Sequence, residues 1–313
     1  MASVSAGVPK TRKLKMQNRS IKRSIPLLIL FIPVIAYYIC FHYLPMFGIV
    51  MAFQNYNIRD GFFGSSWVGL KYFNLIFNTP ATLNVVKNTL LLGVSRFLIS
   101  IPFPILMALM LNEVKGKNFK KTVQTAVYLP HFLSWVIVGG IVVNLFGQET
   151  GAVNNLVRYI WGEPYAFLYN EKAWLAIFYG SGIWKECGFS AIIYLAALTG
   201  VDPELYDAAS IDGASKLQRI WNVTLPCIMP TIVINLILQI GNSVNVGFDQ
   251  IYVLTNPTVN NIADVVSTYV YRVGLQQMQF SLTSAMGLFQ SLLGITLVVL
   301  TNRIAKKAGM NLW

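Results

Sequence analysis

Residues 201–226 read VDPELYDAASIDGASKLQRIWNVTLP, a polar stretch set between two long apolar runs. Its punctuation predicts helix, turn, helix. Asp202 can cap a first helix that has Pro203 at its first position and Glu204 in its first turn. All three favour initiation, because the first N–H groups of a helix lack partners and carry partial positive charge. Gly213 then breaks the run, and Asp212 is placed to help cap the next turn. Leu217, Ile220 and Trp221 form an apolar stripe ahead of Pro226. An amphipathic connector lying on a membrane surface would show the same periodicity, so the flanks decide what this segment joins.

The flanks are those of a membrane protein. Of 313 residues, 55% are hydrophobic and 12% charged, and the mean hydropathy is +0.56, whereas soluble domains carry roughly 25% charged residues. A bilayer core takes about 20 mostly apolar helical residues to cross, since backbone polar groups facing lipid must be satisfied within the helix. Such spans are expected at 27–50, 85–111, 123–146, 173–199, 226–248 and 280–302. The expectation is an all-α integral membrane protein of six transmembrane helices. A transmembrane β-barrel would instead alternate apolar and polar residues, and runs such as SAMGLFQSLLGITLVVL do not. The first apolar run is too long for the core of a cleaved signal peptide and is expected to remain as a span. Cys40, Cys187 and Cys227 lie in or beside apolar segments without ligand-like spacing, as small buried residues do, so no metal site is expected.

Charge orients the helices. The net charge of +12 is distributed by loop, so it needs no nucleic acid to explain it. Lys10, Arg12, Lys13, Lys15, Arg19, Lys22 and Arg23 fill the first tail without an acid. Lys115, Lys117, Lys120 and Lys121 follow the second span, and Arg303, Lys306 and Lys307 follow the last. The positive-inside rule puts both termini in the cytoplasm; a specific lipid- or nucleic-acid-binding arm is the other reading of the first tail. The expected divisions are a basic tail at 1–26, a six-helix domain at 27–302 with its cytoplasmic loop at 200–226, and a tail at 303–313. The opposite loops, 51–84, 147–172 and 249–279, are longer and hold Trp67, Tyr72, Trp161 and Tyr165, rings that suit a membrane interface or an external docking surface.

The loop's residue order goes beyond periodicity. Asp207-Ala208-Ala209, Gly213 after three residues, Val223 after nine more, then Leu225-Pro226 resembles the EAA loop of type I ABC importer permeases, with Asp where Glu is usual and Val where Ile is usual. YLPMFGIVMAFQNYN, WVGLKYF, YLPHFLSWVIVGG and TYVYRVGLQQMQFSLTSAMGLFQSLLG are similar to the sugar-permease branch related to multiple-sugar and alginate-oligosaccharide importers. The resemblance implies a heterodimer with a second homologous permease in the bacterial cytoplasmic membrane, served by an extracytoplasmic sugar-binding protein. It implies also that two copies of a cytoplasmic ABC ATPase hydrolyse ATP with Mg, this chain binding no cofactor, and that the loop docks on that ATPase through Asp207, Ala208, Ala209, Asp212, Gly213, Leu225 and Pro226. These residue types suit such a joint: small alanines allow close approach, glycine allows a sharp turn, and a carboxylate can pair with a basic group.

Within the spans, Arg96, Lys185 and Glu186 are costly in hydrocarbon, about 2.5–3.5 kcal/mol for an Arg or Lys at mid-span on insertion scales, and should face protein or water. Lys185 and Glu186, being adjacent, point in different directions around a helix. Arg96 and Glu186 fit either an interhelical pair or a substrate path. Asn235, Gln239 and Asn242 share one helical face; they fit polar glue between helices or a path for sugar hydroxyls, and Gln290 is a further candidate. An acidic sugar would suit Arg96 and Lys185, while Glu186 opposes it. Two other classes fit less of the sequence. A secondary transporter would commonly show internal repeats with interrupted helices, and none is visible. An intramembrane enzyme needs catalytic residues that cannot be assembled here: His42 and His131 lie in different spans and read as interface or packing residues. A Walker-type phosphate loop is absent as well.

Overall fold

The computed structural model describes residues 28–307; the basic tail expected at 1–26 and residues 308–313 lie outside the described residues. The described chain is helical apart from one antiparallel two-residue ribbon, β1 (Gln54–Asn55) with β2 (Ser66–Trp67), which pairs Gln54 with Trp67. The helices, in order, are α1 (Leu28–Phe53), α2 (Lys71–Asn78), α3 (Pro80–Ser100) and α4 (Pro102–Glu113). Next come α5 (Lys117–Tyr128), α6 (Trp135–Phe146), α7 (Ala152–Trp161) and α8 (Glu171–Thr199). Then follow α9 (Pro203–Ile211), α10 (Lys216–Arg219), α11 (Leu225–Ser243), α12 (Phe248–Leu254), α13 (Val266–Tyr269) and α14 (Phe280–Lys307); single helical turns at Gly61–Gly64 and Asn260–Ala263 lie between β1 and β2 and between α12 and α13.

Proline sets several of the joints. It lacks an N–H and clashes with the carbonyl four residues earlier, and a π-turn relieves that clash by letting the chain bulge. One π-turn, Ile39–Tyr43, holds the residue four before Pro45. A second, Ile220–Thr224, does the same for Pro226 between α10 and α11. Pro130 sits in the 3-10 turn Leu129–Phe132, where the chain bends by 101° before α6. The span expected at 123–146 is an α5–α6 pair with a corner, because Pro130 interrupts the ladder and Ser134 Oγ starts a new helix by accepting from the Ile137 N–H at 3.3 Å.

By length and composition, four helices of the described residues can cross a membrane: α1, α3 with α4, α10 with α11, and α14. The bent α5–α6 pair would be a fifth. At 29 residues, or about 43 Å at 1.5 Å per residue, α8 has the length as well, but Lys185 and Glu186 interrupt its apolar course. The six expected spans thus map onto four qualifying helices, the bent pair and α8. The last span runs past its expected end at 302, to Lys307, with Lys306 and Lys307 in the turn where cations are favoured.

Helix α8 is the hub. Its Trp174 and Phe178 are wholly buried against Val246, Ile251 and Leu254, while Ala191, Tyr194 and Leu198 pack on Ala108, Ile228 and Ile232. Apolar burial gives little drive in a bilayer, so close packing and interhelical hydrogen bonds hold such bundles. Trp174 Nε1 donates to the Leu254 carbonyl at 2.9 Å, and Gln250 Nε2 to the Phe178 carbonyl at 2.7 Å. Helices α3 and α11 touch backbone to side at Gly93, where a Cβ would lie 2.1 Å from the Ser243 carbonyl oxygen. By contrast, none of the apolar window of α1 is buried; only its end, at Ala52, joins a core with Ile76, Val85 and Met286.

Candidate functional site: a polar chamber and an exposed loop

Helices α3, α4, α8 and α11 enclose a cavity of about 360 Å³ whose polar lining includes Arg96, Tyr179, Glu186, Tyr194, Gln239 and Asn242. Arg96 comes from α3, its guanidinium lying over the Phe178 ring at 5.7 Å to the centroid. Among the described residues it makes no ion pair with Glu186, although both face the same space. Tyr179 hydroxyl and Ser95 Oγ share a hydrogen bond of 2.6 Å. Asn235 is buried behind the wall: its Nδ2 donates to Tyr194 hydroxyl at 2.8 Å, and its Oδ1 accepts from Gln239 Nε2 at 3.0 Å. Of the three amides expected on one face, Gln239 and Asn242 line the chamber, and Asn235 holds two of its walls in place.

Lys185 and Glu186 do not point apart as their adjacency predicts. Lys185 is buried, with Nζ donating to the His131 carbonyl at 2.6 Å and to Glu186 Oε1 at 3.3 Å. The other carboxylate oxygen of Glu186 meets His131 Nδ1 at 2.7 Å. Long side chains converge from different starting directions because the α5–α6 corner offers them a shared partner. His131, whose ring stacks on Phe189 at 3.9 Å, belongs to this group instead of to plain packing. Lys185 therefore braces the corner from outside the chamber lining, and Glu186 does both. Gln290 lies elsewhere: its Nε2 donates to the Val244 carbonyl at 2.7 Å, and it lines an open groove of about 800 Å³ between α11 and α14. Asn242 reaches both spaces. Tyr179 and Tyr194 escaped the sequence reading, although Tyr179, Glu186, Ser190 and Tyr194 recur on one face of α8 at helical spacing.

The loop at 200–226 forms the helix, turn and helix its punctuation predicts. Asp202 Oδ1 accepts from the Glu204 N–H at 3.0 Å, and Gly213 turns the chain at φ +76°, a left-handed value that costs a residue with a Cβ about 1–2 kcal/mol. The next cap is Ser215 and not Asp212. Ser215 Oγ accepts from the Gln218 N–H, and Gln218 Oε1 accepts from the Ser215 N–H at 2.7 Å, while Asp212 ends α9. Ser215 stands three residues before Gln218, the spacing of a reciprocal cap, and that signal was present in the sequence. Tyr206 and Thr224 join the two arms through their hydroxyls at 3.1 Å, and Lys216 Nζ reaches Glu113 at the end of α4 at 3.3 Å. Nothing in α9 or α10 is buried. Asp207, Ala208 and Pro226 are exposed, Ala209 and Leu225 half-buried, and Ile211 is 86% exposed, Leu217 65% and Trp221 64%. Apolar side chains are thus left open on a capped turn, a pattern that monomeric soluble surfaces rarely show and that interaction or membrane surfaces do.

Among the described residues no group of His, Cys, Asp and Glu could hold a metal ion. Residues 81–309 match the model of the family described as binding-protein-dependent transport system inner membrane component. The chain is 44% identical over 307 residues, covering 98% of itself and 96% of the relative, to the polygalacturonan/rhamnogalacturonan transport system permease protein YteP of Bacillus subtilis. It is 42% identical to the protein LplB of the same organism, with 92% of this chain and 91% of that one covered. Its structure matches a chain of a bacterial ABC transporter involved in import of the acidic polysaccharide alginate, with a TM-score of 0.85 and 39% identity over 93% of this chain and 99% of that one. A chain of a bacterial alginate ABC transporter in complex with an alginate pentasaccharide-bound periplasmic protein matches equally well, over 94% of this chain and 98% of that one. The protein is a member of the binding-protein-dependent transport system inner membrane component family, with the type I ABC importer permease fold.

Proposed function

We propose that this chain is the non-catalytic permease subunit of an ATP-driven importer and forms one wall of a path for acidic oligosaccharides of the uronate type. The observation that carries the reading is the chamber, which Arg96 lines together with Gln239, Asn242 and two tyrosines while making no direct ion pair among the described residues. Amides both donate to and accept from hydroxyls, and arginine matches a carboxylate in two parallel hydrogen bonds. Glu186 lines the same chamber and its charge acts on Arg96, but its two oxygens are also held by His131 and Lys185, which draws part of that charge toward the α5–α6 corner. The names of the relatives and structural neighbours, which concern polygalacturonan, rhamnogalacturonan and alginate, support the same substrate class. Both termini lie in the cytoplasm in this reading. The loop at 200–226 docks on a cytoplasmic ATPase that hydrolyses ATP with Mg, a second homologous permease completes the path, and an external binding protein delivers the sugar.

Mechanically, the loop is fit to transmit force. Its two arms are joined to each other by Tyr206–Thr224, and it runs without a gap through Ile220–Thr224 into α11, which carries Gln239 and Asn242. A displacement of the loop thus reaches the chamber along one helix, as an alternating-access switch requires. The test is uptake into proteoliposomes holding the complete complex, with binding protein, ATP and either oligogalacturonides or neutral oligosaccharides of matched length. ATP-dependent uptake that favours the uronates is the expected result; uptake independent of ATP would return the chain to the secondary-transporter class.

A further inference from the structure

A second polar recess lies beyond the chamber, in the segment between α11 and α14. It has a volume of about 410 Å³ and is lined among others by Tyr252, Asn260, Asp264, Tyr271, Arg272 and Gln276. Helix α12 joins the two spaces, since Gly247 lines the chamber and Tyr252 the recess; the five-residue offset is about 7.5 Å of helical rise. On the orientation proposed above, the recess opens outward.

Three features show that it is built and not merely left over. Its base is a fixed ion pair: Arg272 Nη2 lies 2.5 Å from Asp264 Oδ2, Thr268 Oγ1 donates to Asp264 Oδ1 at 2.8 Å, and Asn88 Nδ2 donates to the Asp264 carbonyl at 3.1 Å. Its rim is aromatic, with Phe248, Tyr252 and Tyr271 in mutual contact at 5.0–5.5 Å between ring centroids. Its backbone is irregular without the cause that explains the other π-turns. Val270–Gln276 is a π-turn with no proline four residues on, and Met278 follows with φ +57°. Such turns and left-handed non-glycine residues gather at functional positions, where surrounding structure enforces them.

The chemistry of the lining selects a ligand class. Arg272 is paired with Asp264, so the recess holds a sugar through its ring face and hydroxyls, and a uronate seated there keeps its carboxylate on the open, solvated side. What it offers is amide groups and rings. Asn260 and Gln276 spend no side-chain hydrogen bond within the described residues, Arg272 keeps outward N–H groups, with its side chain 40% exposed, and Tyr252 is 53% exposed. We propose that this recess is an external sugar subsite, in which Tyr252 and Tyr271 pack against the apolar face of a pyranose ring. In it, Asn260, Gln276 and Arg272 bind the hydroxyls of that ring. It rests on the importer reading and adds to it a length rule: a long oligosaccharide occupies recess and chamber together, while a short one fills the chamber alone.

The experiment compares uptake of galacturonic acid disaccharide and hexasaccharide by the complete reconstituted complex with its binding protein. Asn260→Ala, Gln276→Ala and Tyr252→Leu should each raise the hexasaccharide KM about fivefold to tenfold, the effect of one lost polar or packing contact. Disaccharide KM should move by less than about twofold, and Tyr252→Phe, which keeps the ring, should behave as the unaltered protein. Equal losses for both sugars, as a docking surface for the binding protein would give, overturn the subsite, and so does an unchanged hexasaccharide KM. If the unaltered complex takes up neither sugar, the uronate reading of the importer falls first and the subsite with it.

Discussion

At the scale of single residues, one arginine and one glutamate divide the polar work of the chamber. Arg96 makes no direct ion pair with a carboxylate among the described residues, so Arg96→Gln should cut uptake of an oligogalacturonide about tenfold, the worth of a charge-assisted hydrogen bond. It should affect a neutral oligosaccharide of the same length far less; equal losses would assign Arg96 to structure. Glu186 is a brace. Replacing it with Gln leaves Lys185, whose side chain is 7% exposed, with a carbonyl as its main partner, and a buried charge that loses its counter-ion is destabilising. Since Glu186 is itself 37% exposed, solvent relieves part of the cost, and Glu186→Gln should lower stability by about 1–3 kcal/mol, read as a fall in the thermal midpoint of the purified complex. Sequence alone placed Gln239 and Asn242 on one face of α11 and they line one space. It could not separate them from Asn235, because periodicity fixes the direction of a side chain around a helix and not what stands in front of it. Adjacent Lys185 and Glu186 met for a related reason: where a long side chain ends depends on partners from distant sequence, here His131.

At the scale of elements, the loop was the most legible part of the molecule and the third span the least. Caps, turn glycine and proline act locally, so the residues that form the loop are also the ones that announce it. The 101° corner after α5 depends on Pro130 inside an apolar run, and a proline there can kink a span or end it. Only the surface that the corner packs against decides between these outcomes. Gly213 is the sharpest test at this scale. With φ +76° and open space where a Cβ would lie, Gly213→Ala should cost about 1–2 kcal/mol locally through backbone strain alone. Gly213→Trp adds bulk to a surface proposed to face the ATPase. In the assembled complex, substrate-stimulated ATP hydrolysis should fall modestly for the alanine and nearly vanish for the tryptophan, with the permease still inserted; equal hydrolysis by all three proteins would remove the loop from coupling. Gly93 sets a different limit, because a Cβ there would stand 2.1 Å from the Ser243 carbonyl oxygen, backbone that cannot swing aside. Gly93→Ala should push α3 from α11 and lower both thermal stability and uptake.

At the scale of the whole molecule, the arrangement of charges and the arrangement of surfaces both bear on the proposed topology. Basic residues of the described chain concentrate at Lys115–Lys121 and Arg303–Lys307, on the side of the bundle that also carries the loop at 200–226 in the proposed orientation. Rings such as Phe63, Trp67 and Trp161 sit in the opposite segments and are 65% or more exposed. The positive-inside rule counts short loops near the ends of spans, and both basic segments meet that condition. Sequence made this asymmetry legible, yet it could not foretell that α1 would leave its apolar window uncovered by the rest of the chain, since a helix facing lipid and a helix facing protein are equally apolar. Orientation can be measured directly at two positions that the fold leaves open, Phe63 at 106% exposure and Ile211 at 86%. In a chain whose three native cysteines have been replaced, Phe63→Cys should react with a membrane-impermeant maleimide added to intact cells, and Ile211→Cys should react only after the membrane is opened. The reverse pattern would invert the bundle, put the loop outside the reach of any cytoplasmic ATPase, and turn the recess at Tyr252 and Arg272 toward the cytoplasm.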